Sequence, residues 1–188
     1  MSLQKLKCRI VGLLPLIQHR GGLANPLDPH TKAMKAISGK RKKVDADFEQ
    51  LSKLEFLGSL YTFDGCIVIP DFMLEATIIE GARKEKQGKV ALAAIFAKHA
   101  VLEYDGPQEP EKLWEAEQFR YIVGVRVGQA RVMRTRPKFD KWAANIELEY
   151  EDSMIDRDNV LRMFRTAGEQ IGIGDRRPKF GRFRVEAA

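Results

Sequence analysis

The sequence predicts an α+β fold: an antiparallel sheet carrying helices, with a basic hairpin and loops inserted. Residues 142–150 set Ala144, Ile146, Leu148 and Tyr150 against Asn145, Glu147 and Glu149, the period of two expected of a half-buried strand. Residues 5–14 repeat the pattern, with Leu6, Cys8 and Ile10 against Lys5, Lys7 and Arg9. Between residues 155 and 185 a helix, a glycine-rich basic loop and a last strand follow one another.

Pro15 frays the first strand, because it has no N–H for a ladder. Residues 18–43 are loop-like, with Gly21, Gly22, Pro26 and Pro29, allow a short helix over 31–37, and end in Lys40-Arg41-Lys42-Lys43. Residues 45–60 read as a helix with Phe48, Leu51, Leu54 and Leu57 on its apolar faces and Glu55 outward. Residues 61–69 read as a hairpin about Asp64-Gly65, a favoured two-residue turn. Pro70 then opens a second helix, where its missing N–H does no harm. Phe72, Leu74, Ala76, Ile78, Ile79 and Ala82 make that helix apolar over much of its circumference, while Glu75, Glu80 and Glu85 fit a solvated edge. Arg83, Lys84 and Lys86 suit the negative end of its dipole. Residues 103–117, with Gly106, Pro107 and Pro110, read as an acidic surface loop.

In 120–136, Tyr121, Val123, Val125 and Val127 alternate with Gly124 and Arg126 up to a turn at Gly128-Gln129, after which the chain runs back. The predicted hairpin carries Arg126, Arg131, Arg134 and Arg136, is extended by Lys138 and Lys141, and has no acidic residue between Arg120 and Lys138. In the C-terminal region Asp156 is a helix cap, and Val160, Phe164, Ala167 and Ile171 recur on one helical face. Gly172 and Gly174 stop the helix, and Phe183 and Val185 alternate with Arg182, Arg184 and Glu186.

A chain of 188 residues, 44% hydrophobic, is long enough for one well-buried core and short for two. One domain over 1–188 is expected, with insertions at about 15–60 and 86–130. The net charge of +6 favours polyanionic partners. Cys8 and Cys66, without CxxC spacing, read as buried free thiols in a reducing compartment. The start of the chain lacks signal-peptide character, and no apolar run nears the roughly 18 residues that span a bilayer. A soluble, cytoplasmic protein without membrane partners is therefore expected.

Stripped of insertions, the order of elements is βαββαβ, the ferredoxin-like or RRM-type plan. In that plan the first strand lies between the last strand and 142–150, bringing Lys5, Lys7 and Arg9 near Glu147 and Glu149. The open face lacks the exposed aromatic pair with which an RRM stacks bases, so that mode of RNA binding is not expected. Three residue groups resemble the RAMP superfamily, whose members form CRISPR effector subunits and crRNA-processing nucleases. Val11-Gly12-Leu13-Leu14-Pro15-Leu16 is similar to the end of that superfamily's first strand. Val68-Ile69-Pro70 looks like the Ile-Pro-Gly helix start of the backbone subunits, with Asp71 in place of the glycine. Residues 172–181 occupy the place of its glycine-rich loop, with Arg182 where a further glycine is common. The closing Gly-Ile-Gly, Arg-Pro and Phe-Gly-Arg-Phe steps also resemble small phage- and prophage-encoded proteins.

The resemblance implies a non-enzymatic binder of single-stranded nucleic acid, RNA ahead of DNA, self-associating head to tail as a filament or ring, with CRISPR effector subunits among its partners. Acidic 103–117 of one copy would meet the basic hairpin of the next. On physical grounds a glycine-rich turn at Gly172 and Gly174 offers N–H groups to phosphate. Arg176, Arg177, Lys179 and Arg182 add charge there, and Phe180 can stack on a base. The expected interface further includes Arg20, Lys40, Arg41, Lys42, Lys43, Arg126, Arg131, Arg134, Arg136 and Lys138. The bland alternatives are a solvated charge run at 40–43 and a loop at 172–181 that only turns a helix into a strand. An enzymatic alternative is metal-independent RNA cleavage by His19 and His30, assisted by Tyr61 or a lysine, since imidazole serves as acid or base near neutral pH. His99 reads as structural. A third reading is a phage protein that binds or mimics a host CRISPR complex. The loop lacks the Lys-Ser/Thr of a P-loop and follows a helix where Rossmann glycines precede one. No cofactor and no metal site is indicated.

Overall fold

A computed structural model describes residues 2–187. In chain order the elements are β1 (Leu3–Gly12), β2 (Leu16–Ile17), α1 (Pro29–Ser38), α2 (Asp45–Ser59), β3 (Thr62–Phe63), β4 (Cys66–Ile69), α3 (Asp71–Lys84) and α4 (Gly88–Ala94). There follow β5 (Ile95–Ala97), β6 (Ala100–Val101), α5 (Pro110–Glu115), β7 (Arg120–Val127), β8 (Ala130–Phe139), β9 (Ala143–Glu151), α6 (Arg157–Thr166) and β10 (Phe183–Ala187). A π turn, Ala167–Ile171, extends α6. The fold is α+β with antiparallel sheets. Among the described residues no helix is long and apolar enough to cross a membrane.

The chain forms two compact units. The first contains the residues up to Leu16, Cys66–Asp105, and the residues from Phe139 onward. Its four-stranded sheet has the order β10-β1-β9-β5, every neighbouring pair antiparallel. Alternation along β1 buries Leu6, Cys8 and Ile10, and β9 adds Ile146 and Leu148 to the same face. Burial pushes the Cys8 thiol up to about 11. Leu74 and Ile78 of α3 and Val160 and Phe164 of α6 are buried too, and Phe164 meets Phe183 edge-on at 5.3 Å. At Gly81 of α3 an added β-carbon would lie 2.4 Å from the Met163 carbonyl oxygen of α6, so the crossing of the two helices requires glycine.

The opposite sheet face is charged and largely paired with itself. Lys5 stands opposite Glu149 and Lys7 opposite Glu147 in the β1–β9 register. Lys98 bonds Glu147 at 2.5 Å, and its ammonium holds that carboxyl below the usual range. Arg9 engages Glu103 at 2.5 Å, and Asn145 donates to the same carboxylate at 2.7 Å.

The second unit contains Ile17–Gly65 and Gly106–Lys138. Its sheet has the order β2-β8-β7, and α1 and α2 belong to the same unit. Phe56 of α2 meets Trp114 of α5 at 5.4 Å. Ser52 and Thr135 hydroxyls share a 2.6 Å hydrogen bond, and Glu55 Oε2 accepts from the Thr135 N–H at 2.9 Å. The carboxylate of Glu55 therefore ties α2 to β8.

Several expectations need correction. Glu55 is not outward: it is 6% exposed, whereas Phe48 of the expected apolar stripe is 57% exposed. The stripe is rotated because a polar backbone edge, not an apolar wall, meets that part of α2. In α3, Phe72 and Ala76 are exposed while Thr77 and Gly81 are buried, so the buried face is narrower than expected and is not set by the apolar residues alone. Glu75 and Glu85 are no solvated edge: Glu75 accepts from the Ala97 N–H at 2.9 Å, and Glu85 from Arg162 Nε at 2.8 Å. Residues 103–117 are not merely a loop, since α5 buries Leu113 and Trp114 there. Cys66 is only half-buried. Strands β5 and β6, of three and two residues, are too short for periodicity to register, and α4 is a helix of only seven residues.

Gly81→Ala is expected to destabilise the fold by about 1–3 kcal/mol, because α3 and α6 must separate. Urea unfolding followed by circular dichroism would show a lower midpoint; an unchanged midpoint would contradict the close crossing.

Candidate nucleic-acid interface

The β7–β8 ladder runs from Arg120 opposite Pro137 to Val127 opposite Ala130, as the sequence predicts, with Gly128 at the turn in the left-handed region at φ 61°. Near the tip Arg126 stands directly opposite Arg131. Arg126 Nε donates to the Gly128 carbonyl at 3.1 Å, and Arg131 has no ion pair among the described residues. Like charges directly opposite in a ladder repel. By the strand period Ile122 and Met133 lie on the face of these two arginines, and they are 55% and 64% exposed.

The other two hairpin arginines do not join them. Arg134 and Arg136 point to the opposite face by the same period. Arg134 Nη1 lies 3.2 Å from Glu55 Oε1, and Arg136 is buried at 9% exposure. Of the expected interface arginines, Arg134 is thus held by Glu55 and Arg136 lies buried. Lys138, at the base of the hairpin, is half-buried.

The segment leading into α1 is likewise structural. Arg20 donates from Nε to the Gly58 carbonyl at 3.1 Å and from Nη2 to Asp28 Oδ2 at 2.7 Å. Asp28 is the helix cap: Oδ1 accepts from the His30 N–H at 2.9 Å. Burial pushes the Asp28 carboxyl up, but the Arg20 guanidinium and the His30 and Thr31 N–H groups outweigh it and hold it below the ordinary 3.8. In the basic run Lys40 pairs with Asp47 at 2.5 Å, and Lys43 donates to the Lys40 carbonyl at 3.0 Å. Arg41 and Lys42 are exposed and have no ion pair among the described residues.

His19 is exposed, and its carbonyl accepts from Tyr61 Oη at 3.2 Å. His30 packs over Gly58, where a β-carbon would come within 3.1 Å of its own. Its Nδ1 is buried 3.5 Å from Asp28 Oδ1 without a hydrogen bond. Asp28 is committed to Arg20 and to the cap, so it does not orient His30 as a base. Among the described residues no group of three or more His, Cys, Asp or Glu side chains is placed to hold a metal ion.

The glycine-rich loop lies in the first unit. Gly172 N–H donates to Ala167 O at 2.9 Å, Ile173 N–H to Gly181 O at 2.8 Å, and Gly181 N–H to Pro15 O at 2.7 Å. Phe180 N–H reaches Arg176 O at 3.3 Å, and Arg176 N–H reaches Asp175 Oδ1 at 3.0 Å. Of the two glycines expected to offer an N–H to phosphate, Gly172 is thus bonded within the protein. Gly181, at φ 71°, precedes β10; a β-carbon there would lie 1.7 Å from Ile173 O. Arg176, Arg177 and Lys179 remain exposed, whereas Phe180 and Arg182 are half-buried, and Arg182 Nε is bonded to Pro178 O at 3.1 Å. Gly174 keeps its left-handed φ of 86°. An open pocket of about 340 Å³ beside the loop is lined by Lys84 and Arg177 with Glu80, Gln170, Ile171 and Pro178. The sequence places Lys84 only at a helix terminus and not beside Arg177, because the two are distant in the chain.

Part of the expected acidic surface is paired within its own unit. Glu103 holds Arg9, Glu111 holds Lys53 at 2.6 Å, and Glu109 holds Lys112 at 3.0 Å. Comparison with known proteins finds no family model that matches the chain and no similar curated protein.

Asp28→Ala is expected to cost about 1–2 kcal/mol through loss of the cap. Because the folded carboxyl titrates below its unfolded value of 3.8, the stabilisation is complete above that pH and is lost as pH falls through the lowered value. Unfolding midpoints of wild type and variant, measured from pH 7 to pH 2, should converge at the acid end; a constant gap would refute the role.

Proposed function

We propose that the chain is a non-enzymatic binder of single-stranded nucleic acid, RNA ahead of DNA, contacted by the β7–β8 hairpin. One observation carries this: Arg126 and Arg131 face each other near the hairpin tip, with no carboxylate on either strand. A phosphate between them replaces repulsion by two charge-assisted hydrogen bonds. Ile122 and Met133, exposed on the same face, offer apolar surface to a base or sugar. Arg41 and Lys42 in the same unit add sequence-blind phosphate attraction, and the first unit by itself exposes Arg176, Arg177 and Lys179 to the same kind of contact.

The ferredoxin-like reading is supported by the sheet order β10-β1-β9-β5, with α3 between β1 and β5 in the chain and α6 between β9 and β10. The RAMP resemblance draws support from that order and from the basic hairpin. On this reading the protein works in the cytoplasm, copies line up head to tail along the strand, and effector subunits are partners. The packing of His30 and the commitment of Asp28 weigh against the nuclease alternative, and no catalytic residue is proposed.

The test is fluorescence anisotropy with a labelled single-stranded oligonucleotide over a salt series. Arg126→Ala with Arg131→Ala is expected to weaken binding uniformly across sequences and flatten the slope of log affinity against log salt by about 1.4, two phosphate contacts on single strands. No binding by wild type at low salt, or a slope untouched by the double substitution, would overturn the assignment.

A further inference from the structure

We propose that the outer edge of β10 is a self-complementary interface that joins two copies of this chain as a two-fold antiparallel pair. β10 is an edge strand: its neighbour in the sheet is β1, and among the described residues no strand pairs with its other side, where Gly168 of the π turn packs on the Phe183 carbonyl and leaves open the edge from Val185 onward. An open edge presents unpaired N–H and C=O groups, and proteins usually blunt such edges with proline, a bulge or charged side chains. β10 carries charges of both signs, two residues apart: Arg184 and Glu186, on the same face and bonded Nε to Oε1 at 2.8 Å. They are 58% and 41% exposed, so both are open to a partner.

That spacing makes the strand complementary to itself. If two β10 strands pair antiparallel about Val185, each Arg184 stands opposite the other copy's Glu186, and the two charge pairs form together. Val185, half-buried on the alternate face, then meets its own counterpart. Slipping the pairing so that it centres on Arg184 or on Glu186 sets like charge against like, so the charges choose the register as well as the partner. The contact is isologous and closes at two copies, uniting two four-stranded sheets into one. It needs no nucleic acid, which separates it from assembly along a strand.

Sedimentation equilibrium of the nuclease-treated full chain at low ionic strength tests it. Wild type is expected to show a concentration-dependent dimer. Arg184→Glu and Glu186→Arg are each expected to raise the dissociation constant about tenfold or more, because two attractive pairs become two repulsive ones. An equimolar mixture of the two variants should dimerise again with wild-type affinity, since in the mixed pair every altered position meets an opposite charge. Recovery on mixing also shows that neither variant is merely misfolded. A monomeric wild type, variants that dimerise like wild type, or a mixture that stays monomeric would each overturn the interface. So would an assembly that dissolves on nuclease treatment, which would instead favour association through the bound strand.

Discussion

The first unit depends on β1 having a strand on each side. From Leu3 opposite Glu151 to Val11 opposite Ala143 it pairs with β9, and from Cys8 to Gly12 it pairs with β10. A strand paired on both edges has its register set twice. A slip of one residue would send Leu6, Cys8 and Ile10 to the charged face and Lys5, Lys7 and Arg9 into the core. The helices then have one apolar surface to cover, and α3 and α6 meet closely enough that Gly81 is required. The loop after α6 is bound to the same strand end, through the Gly181 N–H on Pro15 O and the Leu13 N–H on Arg182 O.

In the second unit buried carboxylates do comparable work. Glu55 satisfies a β8 backbone N–H and a β8 arginine, and Asp28 joins a helix cap to Arg20. A buried carboxylate with several donors is far less costly than one left alone, which is why these acids sit inside while apolar Phe48 does not. The consequence is a sorting of the positive charge. Arg20 and Arg134 are used in holding the unit together, Arg136 is buried, and Arg126 and Arg131 near the hairpin tip are left to face each other.

Much of this was legible in the chain. The two long strands, the hairpin with its Gly128-Gln129 turn, the cap at Asp156 and the left-handed Gly172 all follow from local rules: alternation, turn residues and helix termini. The positions read less well share a feature. Glu55 sits one residue from an apolar stripe, β5 and β6 are too short to alternate, and Trp114 lies among prolines and acids. Their places are set by partners far away in sequence.

The sequence by itself determined where the long strands, the hairpin and the main helices lie, and that positive charge is in excess without an intervening acid between Arg120 and Lys138. Only the tertiary structure decided which of those charges are neutralised and which loop donors are spent. The reason is physical. Strand and helix period act between near neighbours, whereas an ion pair such as Glu55 with Arg134, or a bond such as Gly181 N–H to Pro15 O, forms only when distant segments arrive within about 3 Å of each other.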